Sequence, residues 1–231
     1  MNKLDESLLN DLPPFCSLSQ VQIREILDAA QTARFDVGAS VFSQGMAVDR
    51  FFLLLDGHIR VQRTTPEGEQ TIVLHIAPGQ LFGIGAALGY NTYPATAVAA
   101  HDCVVLWWPN RLWPEFIAKY DGFATQTYKV VGQRIADIQS MIVEMATKQV
   151  EQRIACAILR LITQMGRKVD SGIEIDFPMT RQNIADMTGT TLHTVSRLLS
   201  AWEKDGIVAS ERKKITVTAP HRLVLLSGAA N

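Results

Sequence analysis

Glycine recurs at positions 38, 45, 57, 68, 79 and 83, and only short apolar stretches lie between those positions. That spacing excludes a long helix, because each glycine inside a helix costs about 1 kcal/mol relative to alanine. The stretches at 40–42, 51–55, 59–61, 71–75, 95–98 and 104–107 have strand length. Short strands separated by glycine turns predict a compact antiparallel barrel or roll across residues 35–108. Pro66-Glu67-Gly68-Glu69 has the composition of a hairpin tip.

The flanking segments have a different period. Residues 4–33 read as helical, broken at Pro13-Pro14 and restarted by Ser19 as an N-cap before Val21, Ile23, Ile26 and Leu27. From Phe123 to Ala146, Thr127, Val130, Val131, Ile135, Ile138, Met141, Ile142 and Met145 recur at a spacing near a heptad seam. Such a helix is about 36 Å long at 1.5 Å per residue, more than a small roll can cover. Its seam, Val131, Ile135, Ile138, Ile142 and Met145, is expected to meet the same helix of a second copy about a two-fold axis. Burial against the chain's own domains is the alternative.

After a helix at 150–164, a loop through Gly166, Asp170, Ser171 and Gly172 leads to a short strand, Ile173-Glu174-Ile175. The stretch 180–199 then has the pattern of a helix-turn-helix. Ala185 is small where two helices would cross, and Gly189 can take the positive φ of a tight turn. Val195, Leu198 and Leu199 give the second helix an apolar face. Thr191, Leu192, His193, Ser196 and Arg197 are left on the other face, free to enter a major groove. The planar fork of Arg197 suits O6 and N7 of a guanine. Thr180, Arg181, Thr191 and Thr194 lie near helix starts, where phosphates are held. An ordinary helical hairpin is the bland alternative, with Arg197 paired to Glu203 or Asp186 and Thr180 only an N-cap. Ile207-Val208 and Ile215-Thr216-Val217 flank the basic turn Arg212-Lys213-Lys214 and look like a small wing.

Composition excludes several classes. With 231 residues at 47% hydrophobic, the chain can fill two modest cores. A net charge of −1 does not by itself announce a nucleic-acid binder. From residue 197 onward, however, Arg197, Lys204, Arg212, Lys213, Lys214 and Arg222 outnumber Glu203, Asp205 and Glu211. No apolar run approaches a membrane span and no secretory signal is visible, so a cytoplasmic protein without membrane contact is expected. Three scattered cysteines, Cys16, Cys103 and Cys156, suggest neither disulfides nor zinc. No catalytic motif is present, so no enzyme activity is expected.

Three strings carry a resemblance: the glycine-bounded Phe51-Phe52-Leu53-Leu54-Leu55-Asp56-Gly57-His58-Ile59, Ala77-Pro78-Gly79-Gln80-Leu81-Phe82-Gly83, and Thr194-Val195-Ser196-Arg197. With them the chain resembles the CRP/FNR superfamily of bacterial transcription factors over nearly its whole length. The resemblance implies an α+β fold. It would have an N-terminal sensor domain with a cyclic-nucleotide-binding-type β-roll at 1–110, a dimerisation helix at 111–147 and a winged helix-turn-helix at 148–231. It also implies a homodimeric activator on a palindromic double-stranded operator with TTG-like half-sites, in contact with RNA polymerase and controlled by an effector in the roll. Within the nitrogen-oxide-responsive subgroup, which the resemblance favours, that effector is nitric oxide, with haem as a candidate cofactor.

The departures restrict the effector. Cyclic-nucleotide-binding members place a Glu after the Phe-Gly of the cassette and an Arg-Ser pair about ten residues later; here Ile84 follows Gly83 and Tyr93-Pro94 stands in place of Arg-Ser. Without the guanidinium the phosphate loses its bidentate partner, so cyclic AMP is not expected. A [4Fe–4S] cluster needs four thiolates and is not expected from Cys16 and Cys103. Haem would need an axial ligand, with His58, His75 and His101 as the roll's only histidines. His58 is expected to be solvated in a turn, and His101 also to lie in a turn. Phe82, Gly83, Ile84, Tyr93, Pro94 and His75 are the candidate effector pocket. His193 stands where the family commonly has a Glu, which puts the base read there in doubt. An apolar effector, no effector, a thiol switch, or a helix-turn-helix used for protein contacts remain alternatives.

Overall fold

The computed structural model describes residues 4–228. The chain forms two compact units, residues 1–136 and 137–231, which divide within one long helix.

In the first unit, α1 (Gln20–Asp28) starts at a capping box: the Ser19 side chain accepts from Gln22 N while the Gln22 side chain accepts from Ser19 N. It buries Ile23, Ile26 and Leu27. The helix expected to reach residue 33 ends at Ala29, and Gln31–Phe35 is a strand, β1, whose burial alternates with the period of two that strands require. The strands β2 (Ser40–Phe42), β3 (Arg50–Asp56), β4 (Ile59–Thr64), β5 (Gln70–Ile76), β6 (Leu81–Phe82), β7 (Thr96–Ala99) and β8 (Cys103–Pro109) follow. They form two antiparallel four-stranded sheets, ordered β1-β8-β3-β6 and β2-β7-β4-β5.

Alternation along β3 explains why its whole run is apolar. Phe52 and Leu54 point into the roll with Ile59, Ile76, Phe82 and Val105. Phe51 and Leu53 point out of it, onto a second core made with Ile23 and Ile26 of α1 and with Trp108, Trp113 and Phe116. The last two belong to α2 (Trp113–Lys119). Gly57 joins β3 to β4 at φ +92°, and a Cβ there would lie 2.2 Å from the carbonyl oxygen of Asp102, so only glycine fits.

The long helix α3 (Phe123–Thr147) has 25 residues and is about 37 Å long. Ile135, Ile138, Ile142 and Met145 are exposed along it. Val131 differs from the expected seam: it is half-buried and packs on the first unit's outer core. Tyr128, which the sequence reading left out, is exposed one heptad before Ile135.

The second unit contains α4 (Val150–Met165), β9 (Gly166–Val169), β10 (Gly172–Ile175), α5 (Arg181–Thr188), α6 (Leu192–Lys204), β11 (Val208–Glu211), β12 (Lys214–Val217) and α7 (Pro220–Leu226). The expected loop at 166–172 is instead a hairpin, with Asp170 and Ser171 at its turn. Its first strand is polar and exposed, so it lacks the apolar alternation that would reveal it, and a cross-strand pair between Arg167 and Glu174 at 2.7 Å supports the pairing. The sheet order is β11-β12-β10-β9. Ile154, Ile158, Leu161, Ile184, Val195, Leu199, Trp202, Val217 and Leu223 form its core.

Candidate nucleic-acid interface and effector region

The helix-turn-helix is set by caps at both starts and a left-handed residue between. Thr180 caps α5, accepting from Asn183 N, and the Asn183 side chain accepts from Thr180 N in return. Gly189 ends α5 at φ +60°, ψ +44°, donating to Ala185 O, and Thr190 N donates to the same carbonyl at 3.1 Å. Thr191 then caps α6, accepting from Thr194 N. Ala185 is fully buried against the core, so the two helices approach closely.

This sharp turn fixes which face of α6 is buried. Val195, Leu199 and Trp202 point into the core, with Leu198 partly buried beside them. Thr191, Leu192, His193 and Arg197 are exposed, and Thr194 and Ser196 are intermediate. Among the described residues Arg197 makes no ion pair. The carboxylate of Glu203 is taken by Arg181 at 3.1 Å and by the hydroxyl of Ser210, and Asp186 accepts from Gln182. Arg181, expected at a phosphate, is therefore tied within its own domain, while Arg197 is left free. The wing β11–β12 carries Arg212 and Lys213 at its tip, where Lys213 has φ +62°.

In the roll, three of the six candidate effector residues, Phe82, Gly83 and Tyr93, gather around Phe42. Tyr93 is buried, stacks on Phe42 with ring centroids 3.9 Å apart, and donates from Oη to Arg50 O at 2.7 Å. Burial pushes its phenol up to about 12. Phe82 stacks on Phe52 at 5.1 Å, and a Cβ on Gly83 would lie 2.8 Å from the Phe52 ring. Ile84 packs into the outer core instead, and Pro94 is exposed. Aromatic rings thus fill the space beside the cassette.

His58 is buried at 3% exposure, contrary to the expected solvated turn. The turn at Gly57 runs against Cys103, whose Sγ donates to His58 O at 3.3 Å, and this carries the imidazole inward. His58 Nε2 lies 2.8 Å from His75 Nδ1. Burial pulls His58 down to about 3 and His75 to about 4, so both are neutral at physiological pH. His101 is exposed in the following turn. Cys103 is buried and its thiol is pushed up by that burial, while Cys16 is exposed.

A capped recognition helix with a polar outer face, a basic wing and a preceding β-roll together define a DNA-binding transcriptional regulator. Residues 32–120 match the family described as cyclic nucleotide-binding domain, and residues 152–226 match the Crp-like helix-turn-helix domain. The chain is 26% identical over 223 residues to the fumarate and nitrate reduction regulatory protein of Vibrio cholerae, covering 92% of this chain and 89% of that protein. It is 27% identical over 224 residues to the protein of the same name from Escherichia coli K12, with the same coverage of 92% and 89%. Among solved structures it resembles FixK2 from Bradyrhizobium japonicum, with TM-score 0.76, 21% identity, and coverage of 87% of this chain and 99% of that one. A CooA mutant from Carboxydothermus hydrogenoformans aligns with TM-score 0.73 and 22% identity over 88% and 90%. The chain belongs to the CRP/FNR family of transcriptional regulators. Members of this family are not enzymes and bind DNA as dimers. Among the described residues no helix is long and apolar enough to cross a membrane.

Proposed function

We propose that the chain acts as a homodimer joined along α3, reads a palindromic operator with α6, and responds to a small effector other than cyclic AMP. The observation that carries the reading is Arg197. It is exposed on the outer face of a helix whose inner face is locked by Val195, Leu199 and Trp202, and the two carboxylates considered as its partners, Glu203 and Asp186, bond to Arg181 and Gln182 instead. A free guanidinium in that position suits a guanine in a TTG-like half-site. Ser196 and His193 flank it. Thr180, Thr191 and Thr194 sit at helix starts for phosphates, and Arg181 would join them on release from Glu203. Recruitment of RNA polymerase belongs to the same reading.

The residues of the roll bear on the choice of effector. Tyr93, which stands in place of the Arg-Ser pair of cyclic-nucleotide-binding members, stacks on Phe42 and offers no guanidinium to a cyclic phosphate, which supports the exclusion of cyclic AMP. A four-thiolate cluster cannot be assembled from three cysteines, and a protonated Cys103 is a poor thiol switch. Haem does not fit these residues: His58 and His75 are committed to each other in the interior, and His101 lies outside it. Nitric oxide sensed through a haem on these histidines is accordingly not part of the proposal.

Arg197→Ala tests the DNA reading. It should weaken operator binding by about 1–3 kcal/mol per half-site and leave random DNA nearly unchanged. Unchanged operator affinity in a fluorescence-anisotropy titration would refute it and favour protein contacts for the helix-turn-helix.

A further inference from the structure

A cavity of about 50 Å³ lies within residues 1–136, walled by Pro13, Pro14, Gly79, Gln80, Val130 and Arg134. Its walls are apolar except for Gln80, Arg134 and the hydroxyl of Thr127, which is already donated to Phe123 O. Arg134 is partly buried and reaches from α3 to the start of β6. Its Nη2 donates to Gln80 Oε1 at 3.3 Å and to Leu81 O at 3.1 Å, both neutral acceptors. Among the described residues it forms no ion pair, and its Nε and Nη1 make no hydrogen bond. Arg24 has Glu6 and Asp28 and Arg160 has Glu144, whereas Arg60 and Arg153, also partly buried, form no ion pair among the described residues; of the three without a carboxylate, Arg134 lines this cavity. No acidic residue lines this cavity. Burial alone brings Arg134 down to about 10, so it keeps its charge at neutral pH.

A guanidinium turned toward an apolar cavity without a counter-charge is costly unless a ligand supplies the charge. We propose that this cavity is the effector site and that its ligand is a small planar oxyanion, of the size of nitrite, nitrate or formate. Nη2 spends both of its hydrogens on Gln80 Oε1 and Leu81 O, which leaves the Nε–H and the Nη1 hydrogens of Arg134 for the oxygens of an anion. Gln80 Nε2, which donates to nothing among the described residues, supplies another donor on the same wall. The volume is room for roughly three or four waters, which suits three or four heavy atoms and excludes a nucleotide or a porphyrin. An anion held there would bridge α3 to the segment that enters β6, and so couple ligand to the helix proposed as the dimer seam.

The inference rests on the reading of the chain as an effector-controlled regulator, and the test separates the two. Melting of the full chain is followed at fixed ionic strength while chloride is replaced by nitrite, nitrate or formate. At least one anion is expected to give a saturable rise in Tm. Arg134→Leu should weaken that response at least about tenfold while keeping the melting point without anion, because the substitution removes a buried charge. Arg134→Lys, which keeps the charge but not the fork, should fall between, and serves if the leucine variant fails to fold. No saturable response to any of the three anions, or an unchanged response in both variants, overturns the site. Operator affinity is measured with and without the stabilising anion: a Tm rise with unaltered DNA binding refutes the effector role. Loss of DNA reading itself is diagnosed separately by Arg197→Ala.

Discussion

Ile138→Asp probes the proposed seam of α3 most sharply. Ile138 is 48% exposed, in line with Ile135 at 51%, Ile142 at 62% and Met145 at 45%. Burying an isoleucine side chain completely stabilises by about 1.5–3 kcal/mol. With half already covered, the remainder contributes about 1 kcal/mol. A two-fold dimer contains the residue twice, so the lost burial is about 2 kcal/mol. Two carboxylates facing each other near the axis add a desolvation and repulsion cost of at least about 2 kcal/mol. The sum, about 4 kcal/mol, corresponds to nearly a thousandfold in the dimer Kd. In the monomer the same substitution lies on a solvated helix face and costs at most about 0.7 kcal/mol of helix propensity, so the fold survives. Sedimentation equilibrium gives the dimer constant and circular dichroism the fold. Val21→Asp, at a 71% exposed position of α1, is the control. A dimer constant within threefold of wild type in Ile138→Asp would refute the seam.

The His58–His75 pair predicts acid sensitivity. Both folded-state values, about 3 and about 4, lie below the ordinary 6.5, so the unfolded chain binds protons more tightly. Stability is therefore complete above about pH 6.5 and is lost as pH falls toward 4. The slope reaches at most about 2.7 kcal/mol per pH unit while both titrate on unfolding. Urea unfolding between pH 7.5 and 5 measures it, and a slope unchanged in a His58→Leu, His75→Leu double variant would refute the assignment. Gly57→Ala should destabilise the roll by at least about 3 kcal/mol, because its Cβ would meet the Asp102 carbonyl at 2.2 Å with φ at +92°; a melting point within 2 °C of wild type would contradict that. Lys213→Gly should relieve the left-handed backbone at the wing tip, φ +62°, and gain up to about 1 kcal/mol, while weakening DNA binding in a salt-dependent way through loss of one phosphate contact.

Much of the architecture was legible in local chemistry. Glycines at the turns, Ser19, Thr180 and Thr191 at helix starts, and the face of α6 all follow from short-range rules that the sequence states directly. The hairpin at 166–175 was hidden because its exposed strand, Gly166-Arg167-Lys168-Val169, carries no apolar alternation. β1 was hidden because Gln31 to Phe35 runs on from an amphipathic helix without glycine or proline to separate them.

The effector region shows where local rules stop. The sequence by itself determined the class of fold, the recognition helix and the absence of the residues that would hold a cyclic phosphate, since these depend on which side chains exist and how they are spaced. It did not determine that Tyr93 stacks on Phe42, that His58 turns inward to His75, that Val131 faces the chain's own core, or that Arg134 faces a cavity without a carboxylate. Each of those depends on residues tens of positions apart meeting in space, and burial and charge pairing are set only when the tertiary structure brings them together.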